Sequence, residues 1–398
     1  MSLRMVKLVD VAEINPRRPA LNFADNSVVS FVPMESVDDV TGSVTRPFER
    51  KFSQVKKGYT VFSEHDVIFA KITPCMQNGK HAIVRNLLNR VGFGSTEFHV
   101  IRASESITPE WIHFFLRRQQ TLDAAVKTFT GTVGQQRVPS GFLEELDIPL
   151  PSIDEQRRIA AHLKAQLATV EEARNAALAQ ASDVQKLIPA ILQAAFEEVA
   201  DAEMVRIGDV APTTSGTTPS RSQKDYWEPP KYPWVKTGEV VFNPIRSTEE
   251  QISEKALREC SLSLLPPGTV LIAMYGQGKT RGQSAVLEVA ATTNQACFAI
   301  LPNEAFEPVY LQFWLRHSYE ALRTLSEARG GNQSNLNGAL LNAFEVPLIP
   351  RKQQQAIANR IKHALAEATA LRARLHEQLK DIELLPARLL AKAFEGNA

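Results

Sequence analysis

The stretch AMYGQGKTRG, from Ala273 to Gly282, combines residue types that bind phosphate. Read as Ala-x-x-x-x-Gly-Lys-Thr, it comes close to the P-loop pattern, with Ala273 in the place of the first glycine. In a P-loop, backbone amides and the lysine hold the phosphates of a nucleotide, so this interpretation predicts a nucleotide hydrolase or kinase. It requires a strand before the loop and a helix directly after it.

Other residues that carry chemistry do not form recognisable sets. The eight histidines are scattered and make no His-Glu-x-x-His pair, and the three cysteines match no metal or disulfide framework. The Asn/Asp-Pro-Pro-aromatic motif of amino-methyltransferases is missing from the sequence, and no set of carboxylates suits a nuclease metal. The sequence therefore predicts no catalytic residues, no metal site and no cofactor.

The length and composition indicate a globular protein of more than one domain. A chain of 398 residues exceeds the size of one ordinary core, and 44% hydrophobic with 22% charged residues is typical of globular chains. No apolar run approaches the roughly 20 residues of a membrane span, and the N-terminus lacks a signal-peptide core. Three separated cysteines fit a reducing compartment. We therefore expect a cytoplasmic protein without a membrane partner.

The chain contains the same ordered pattern twice. KLVDVAEI from Lys7 resembles RIGDVAPT from Arg206, at an offset of 199, and DVIFAKI from Asp66 resembles TVLIAMY from Thr269, at an offset of 203. GQQRVPSGFLEELDIPLPSIDEQRRIA from Gly134 resembles NQSNLNGALLNAFEVPLIPRKQQQAIA from Asn332, at an offset of 198. Because order is kept and the offset drifts by only a few residues, the sequence predicts an internal repeat.

The repeat argues against the P-loop. Thr280 is followed by Arg281, Gly282, Gln283 and Ser284, and then by AVLEV, which is another β-type run rather than a helix. At an offset of 203 Lys279 falls on Met76, so the first copy has no Gly-Lys-Thr. The stretch is predicted to be a strand–loop–strand connection.

Each copy divides into a mixed α+β domain and a long helix. The helices are predicted from apolar residues at steps of three and four, and each apolar stripe is narrow enough to require a second long helix. We expect helices of about 35 residues, about 50 Å long, kinked or ended near Pro189 and Pro386. We prefer an antiparallel pair separating two similar domains over helices that pack only on their own domains. The predicted segments are a first domain at 1–146, a helical spacer at 147–200, a second domain at 201–344 and a second spacer at 345–398.

This constellation resembles the specificity (S) subunit of type I restriction–modification systems. The resemblance rests on IPLPSIDEQRRIA and VPLIPRKQQQAIA, which lead from β-rich domains into long helices ending in AAFEE and AKAFEG, and it covers nearly the whole chain. It implies two target recognition domains, each reading one half of a bipartite, asymmetric double-stranded DNA site. It also implies that the helices set the gap and dock two methyltransferase (modification) subunits, that a restriction/translocase subunit joins, and that the chain itself is not an enzyme.

DNA contacts are expected from polar and basic side chains on exposed loops. Each copy offers a loop after its repeated strand and a polar run before the next helix, and the second copy adds TTSGTTPSRSQK. In the first copy the candidates are Lys71, Thr73, Gln77, Asn78, Lys80, Thr132, Gln135, Gln136 and Arg137. In the second copy they are Thr217, Arg221, Lys224, Tyr275, Gln277, Lys279, Thr280, Arg281, Asn332, Gln333, Ser334 and Asn335.

The candidate loops and helix starts also have simpler interpretations. Each polar loop is also what a solvated turn would contain, and IDEQRR and RKQQQ at the helix starts suit either docking surfaces or solvated faces. Two other functions compete with DNA recognition: a nucleotide-binding hydrolase using Ala273 to Thr280, and a structural scaffold of two protein-binding modules.

Overall fold

The computed structural model describes residues 4–45, 47–132, 135–276, 278–327 and 335–394. The chain divides into two compact units, Met1–Leu178 with Glu377–Ala398, and Ala179–His376. Both boundaries fall inside long helices, so each unit contains a globular part together with pieces of two helices. The four-part division at 146, 200 and 344 stays a prediction.

The first unit is built on an antiparallel sheet in the order β2-β9-β6-β7, beside a second sheet in the order β4-β3-β8-β5. Its central strand β6 is buried on both faces, with Val67 and Phe69 in one core cluster and Ile68 and Ala70 in another. The strands are β1 (Met5–Lys7), β2 (Ala12–Ile14), β3 (Val28–Val32), β4 (Phe48–Lys51), β5 (Thr60–Ser63), β6 (Val67–Ala70), β7 (His81–Ile83), β8 (Val91–Gly94), β9 (Phe98–Ala103) and β10 (Asp147–Pro149). The helices are α1 (Leu8–Val11), α2 (Phe52–Val55), α3 (Pro109–Leu116), α4 (Gln119–Val126), α5 (Ser140–Glu144) and α6 (Ile153–Glu197).

The second unit repeats this plan with the sheet order β12-β18-β15-β16. Its second sheet, in the order β14-β13-β17, has three strands where the first unit has four, so the copies differ most there. The strands are β11 (Glu203–Arg206), β12 (Thr213–Ser215), β13 (Tyr232–Val235), β14 (Glu250–Ile252), β15 (Val270–Ala273), β16 (Ser284–Val286), β17 (Thr292–Thr293), β18 (Cys297–Ile300) and β19 (Glu345–Leu348). The helices are α7 (Ile207–Val210), α8 (Glu254–Glu259), α9 (Pro308–His317), α10 (Tyr319–Glu327), α11 (Gly338–Asn342) and α12 (Arg351–Phe394).

The two long helices exceed the length expected from their sequence. Helix α6 has 45 residues and α12 has 44, which corresponds to about 68 Å and 66 Å. Of the two outcomes expected at Pro189 and Pro386, a kink or the end of the helix, the structure contradicts the second, because both prolines lie inside the helices. An interior proline costs about 3 kcal/mol. Burial of the residues that follow, Leu192 with Phe196 and Leu390 with Phe394, offsets that cost.

The helices pair in opposite directions within each unit. In the first unit Ala160 and Leu163, near the start of α6, share a core cluster with Leu390 and Phe394, at the end of α12. In the second unit the end of α6 shares a cluster with the start of α12, through Leu192, Phe196, Ile357 and Ile361. The antiparallel pairing predicted from the sequence is confirmed. The same clusters contain domain residues, so the helices also close the domain cores.

A buried glutamine fixes the start of each long helix to its domain. Gln156 is fully buried; its Oε1 accepts from the Thr108 amide at 2.8 Å, and its Nε2 donates to the carbonyls of Ser106 and Pro151, both at 3.0 Å. Gln354 makes the equivalent bonds to Glu307, Ala305 and Ile349. These two residues of IDEQRR and RKQQQ therefore belong to the interior rather than to a docking surface.

Replacing Gln156 with alanine is expected to lower the free energy of unfolding by about 3 kcal/mol, because the buried Thr108 amide and two partly buried carbonyls lose their partners. Chemical denaturation monitored by circular dichroism measures this change. The neighbouring exposed residue provides the control, since Arg157→Ala should change stability by less than about 0.5 kcal/mol. Equal effects of the two substitutions would contradict the role assigned to Gln156.

Candidate nucleic-acid interface

The topology collects the candidate loops of the first unit at one end of its main sheet. Strands β2 and β6 end there, at Ile14 and Ala70, while their antiparallel neighbours β9 and β7 begin there, at Phe98 and His81. The start of α6 is attached at the opposite end, where Gln156 bonds Ser106 and Thr108 just beyond the end of β9. The loops therefore face away from the helix attachment.

Two loops that the sequence singled out separately lie side by side in the first unit. The amide of Val138 donates to the carbonyl of Lys71 at 2.9 Å, and the amide of Thr73 donates to the carbonyl of Gln136 at 3.0 Å. These bonds join the 71–80 loop to the 130–137 loop. One surface thus presents the candidates of both loops.

The second unit makes the same junction. The amide of Leu336 donates to the carbonyl of Met274 at 3.1 Å, and these residues are the repeat counterparts of Val138 and Lys71. Asn335, next to this bond, is exposed. Four candidates lie outside the described residues, namely Gln277, Asn332, Gln333 and Ser334.

Many of the candidate side chains are available to a ligand. The exposed ones are Gln77, Asn78, Thr132, Gln135, Lys224, Tyr275, Lys279 and Asn335. Partly exposed are Lys71, Thr73, Gln136, Thr217, Thr280 and Arg281. Within these sets, Thr73 donates from its hydroxyl to Gln77 Oε1 at 2.9 Å, which orders the first loop.

Three cationic candidates are engaged in holding the loops. Lys80 donates to the Val37 carbonyl at 2.7 Å, and Arg137 makes a two-pronged ion pair with Glu97 at 2.8 and 2.9 Å. Arg221 pairs with Glu250 and lies 3.8 Å over the ring of Trp227. The Arg137 guanidinium holds the pKa of Glu97 below its usual value. These interactions order the loops on which the three cations lie.

The stretch AMYGQGKTRG forms a hairpin rather than a P-loop. Strand β15 pairs antiparallel with β16, so the loop leads into a strand where a P-loop needs a helix. The hydroxyl of Tyr319 donates to the Lys279 carbonyl at 2.6 Å, and Arg323 Nη1 donates to the Gly278 carbonyl at 2.7 Å. Helix α10 thus anchors the loop through its carbonyls. The nucleotide-hydrolase interpretation is wrong for this loop.

Sequence reasoning missed one segment at this end of the first unit. Ile14 pairs with Ile101 as Thr213 pairs with Ile300, so residues 15–18 are the counterpart of 214–217, inside the loop singled out only in the second copy. Applying the offset of 199 to that loop would have found it.

His99 connects this segment to the other loops. Asn15 Nδ2 donates to His99 Nδ1 at 3.1 Å, and His99 Nε2 donates to the Val138 carbonyl at 2.8 Å. Burial lowers the pKa of His99, which keeps the ring neutral near pH 7 and suits the acceptor role of Nδ1. A neutral histidine therefore fixes the three segments relative to one another.

Over the described ranges of the chain, no group of three or more His, Cys, Asp or Glu side chains is placed to hold a metal ion. Among the helices of that same part, none is long and apolar enough to cross a membrane.

The family model described as the type I restriction modification DNA specificity domain matches residues 3–180 and again 200–381. The chain belongs to this family. The two matches coincide with the two copies of the repeat, so the DNA specificity domain occurs twice in the chain. The resemblance and the fold class inferred from the sequence, a repeated α+β domain with long helices, are confirmed.

Curated relatives from Escherichia coli match part of the chain. The EcoAI type I restriction enzyme specificity subunit is 34% identical over 187 residues, and the EcoEI specificity subunit is 32% identical over 188 residues. The matches cover 46% and 47% of this chain and 31% of each relative. They thus span about a third of the relatives' own length.

Solved structures share the fold over nearly the whole chain. The HsdS subunit from Thermoanaerobacter tengcongensis superposes with a TM-score of 0.70 at 24% identity, covering 99% of this chain and 97% of that one. A structure described as the basis of complex assembly and conformational transition of the type I R-M system gives a TM-score of 0.75 at 23% identity, covering 99% and 98%.

Proposed function

We propose that the chain is the DNA sequence-recognition subunit of a type I restriction–modification complex. Each unit reads one half of a bipartite, asymmetric double-stranded DNA site. The observation that carries the proposal is the repeated loop junction, Lys71 with Val138 and Met274 with Leu336, at the same end of the same sheet in both units. Because the residues around the two junctions differ, the two half-sites differ in sequence.

The exposed loop residues are the ones that contact DNA. Amide and hydroxyl side chains such as Gln77, Asn78 and Gln135 suit base edges, and lysines such as Lys279 suit phosphates. Lys80, Arg137 and Arg221 support the loops through the bonds described above. The remaining candidates stay predictions, including the four outside the described residues.

The paired helices set the gap between the half-sites. DNA advances about 3.4 Å per base pair along its axis, so a rigid helical spacer converts its length into a fixed number of base pairs. The helices also dock two methyltransferase subunits, and a restriction/translocase subunit completes the complex in the cytoplasm. The chain itself acts as a reader without a catalytic site or cofactor.

Mapping adenine methylation across a genome tests the proposal directly. Co-expression of the chain with a methyltransferase subunit is expected to give one split motif with two constant halves and a fixed gap. Replacing residues 1–146 with those of a relative should then change one half of the motif and leave the other half and the gap unchanged.

The scaffold hypothesis predicts a different result. A scaffold of two protein-binding modules predicts no methylated motif and no DNA protection under any condition. Random methylation, or a change in both half-sites after the replacement, would contradict the proposed division of labour between the units.

A further inference from the structure

An open polar cleft of about 380 Å³ lies at the loop end of the first unit. It is bounded by the segment after β2, the start of β5, the end of β6, the start of β9 and the start of α5. Of the residues in these segments, only Lys71 was a candidate DNA contact in the sequence. The cleft therefore adds a surface to the candidate interface.

The residues around the cleft favour an anion. Its lining contains two cations, an amide and several hydroxyls, and among the described residues that line it none is acidic. The polar side chains most relevant to a ligand are Arg18, Lys71, Tyr59, Thr60, Thr96 and Ser140. A concave site with this composition attracts a phosphate group.

Backbone hydrogen bonds hold Lys71 in place, and side-chain contacts hold Arg18. The Lys71 amide donates to the Glu97 carbonyl at 2.9 Å while its carbonyl accepts from Val138. Arg18 Nη2 donates to the Lys56 carbonyl at 2.7 Å, and its guanidinium lies 5.8 Å from the centre of the Phe93 ring. Neither interaction neutralises a positive charge, because carbonyls and rings carry no net charge.

A carboxylate that interacts with Lys71, that of Glu97, is already paired with an arginine. Glu97 makes a two-pronged ion pair with Arg137. Its negative charge is therefore shared between Arg137 and Lys71.

The second unit lacks both cations. By the repeat, Lys71 corresponds to Met274 and Arg18 corresponds to Thr217. This pair of cations thus distinguishes the first unit from the second and is not part of the shared framework.

We infer that this cleft binds a phosphodiester group of the DNA backbone, with Arg18 and Lys71 as the phosphate contacts of the first unit. The inference rests on the proposed function and adds a specific anchoring point to it. Since a phosphate contact positions DNA without reading it, these residues raise affinity and leave the recognised sequence unchanged.

Substitution of the two cations tests the assignment in the full chain co-purified with its methyltransferase. Lys71→Met copies the second unit and nearly conserves side-chain volume, and Arg18→Gln keeps a hydrogen-bond donor for Lys56. For each cation removed, the slope of log affinity against log salt should become shallower by about 0.9, measured on duplex DNA between about 50 and 200 mM salt. Lys71→Arg should restore the slope. Lys127→Ala, an exposed charge-matched control on the same unit, should leave it unchanged.

The results distinguish a failure of the phosphate cleft from a failure of the proposed DNA-recognition function. Unchanged slope and affinity in the double variant, with a normal bipartite methylation motif, would overturn the cleft and leave the proposed function intact. A variant that alters one base of the motif would show base reading instead of phosphate binding. A wild-type complex that binds no duplex DNA would remove both proposals.

Discussion

Replacing Phe394 with alanine is expected to lower the free energy of unfolding of the first unit by about 3–5 kcal/mol. The Phe394 ring is 7% exposed and lies 4.4 Å from Trp111 and 5.3 Å from Phe115 between ring centres. Removing it opens a cavity in the core that these aromatic residues form. The side chain of Arg118, which stacks over the same ring at 5.4 Å, loses part of its support as well.

Hydrogen exchange read by mass spectrometry locates this effect. Amides of β6 and β9 should lose protection while those of β15 and β18 in the second unit keep it. Phe196→Ala should give the converse, because Phe196 packs against Tyr310 and Trp314 at 5.6 and 5.1 Å. The control is Leu384→Ala, on the same helix as Phe394, at a residue that is 49% exposed. Equal loss of protection in both units would contradict the assignment.

Acid is expected to destabilise the first unit before the second. His81 is fully buried and stacked on Phe69 with ring centres 4.1 Å apart, and neither ring nitrogen has a hydrogen-bond partner among the described residues. Burial, reinforced by the charge of Arg117, lowers the pKa of His81 to about 3 and lowers that of His113 well below its usual value. The folded unit therefore keeps both rings neutral.

The direction in which stability changes with pH depends on whether the folded or the unfolded chain binds more protons. Below about pH 6.5 the unfolded chain takes up a proton on each histidine and the folded unit does not, so stability is lost as the pH falls. The loss is about 1.4 kcal/mol per pH unit for each histidine, until the folded-state pKa is reached. Above about pH 6.5 both contributions are fully present.

The second unit provides a built-in comparison. The repeat places Ser284 and Gln312 where the first unit has His81 and His113, and these two residues carry no titratable group. Hydrogen exchange between pH 7 and pH 5 should show a larger loss of protection in β6 and β7 than in β15 and β16, because the second unit has a lowered histidine pKa at the half-buried His317. His113→Gln, which copies the second unit, should remove the contribution of one histidine and leave those of His81 and His99. A wild-type first unit that is insensitive to pH over this range would refute the prediction.

The sequence was sufficient for the features that repeat or that obey a local period. The offsets of 198 to 203 predict the two domains, the β-type run after Gly282 predicts the hairpin, and the apolar stripe predicts paired helices. Each of these signals is local or is found by comparing the chain with itself. The helix lengths were underestimated because the prolines were given their local cost without the packing of Phe196 and Phe394 that offsets it.

The features that escaped are long-range pairings of polar groups. Arg137 finds Glu97 40 positions away, and Gln156 reaches Thr108 across 48 positions. In the sequence these residues look like any solvated turn or helix start. The cleft around Arg18 was missed for a similar reason, since its walls come from five separate segments that meet only in the folded domain.

The contribution of Phe394 to the first core has a consequence during protein synthesis. Ribosomes add about 5–20 residues per second. The first unit combines residues 377–394 with 4–178 in one core, and the 198 residues of 179–376 take about 10–40 s to translate. For that time a nascent first domain exposes the apolar surface of Trp111 and Phe115 that Phe394 later covers. The first core is therefore completed only after translation has passed through the second unit, and a chain broken off before residue 377 lacks the helix segment that covers Trp111 and Phe115.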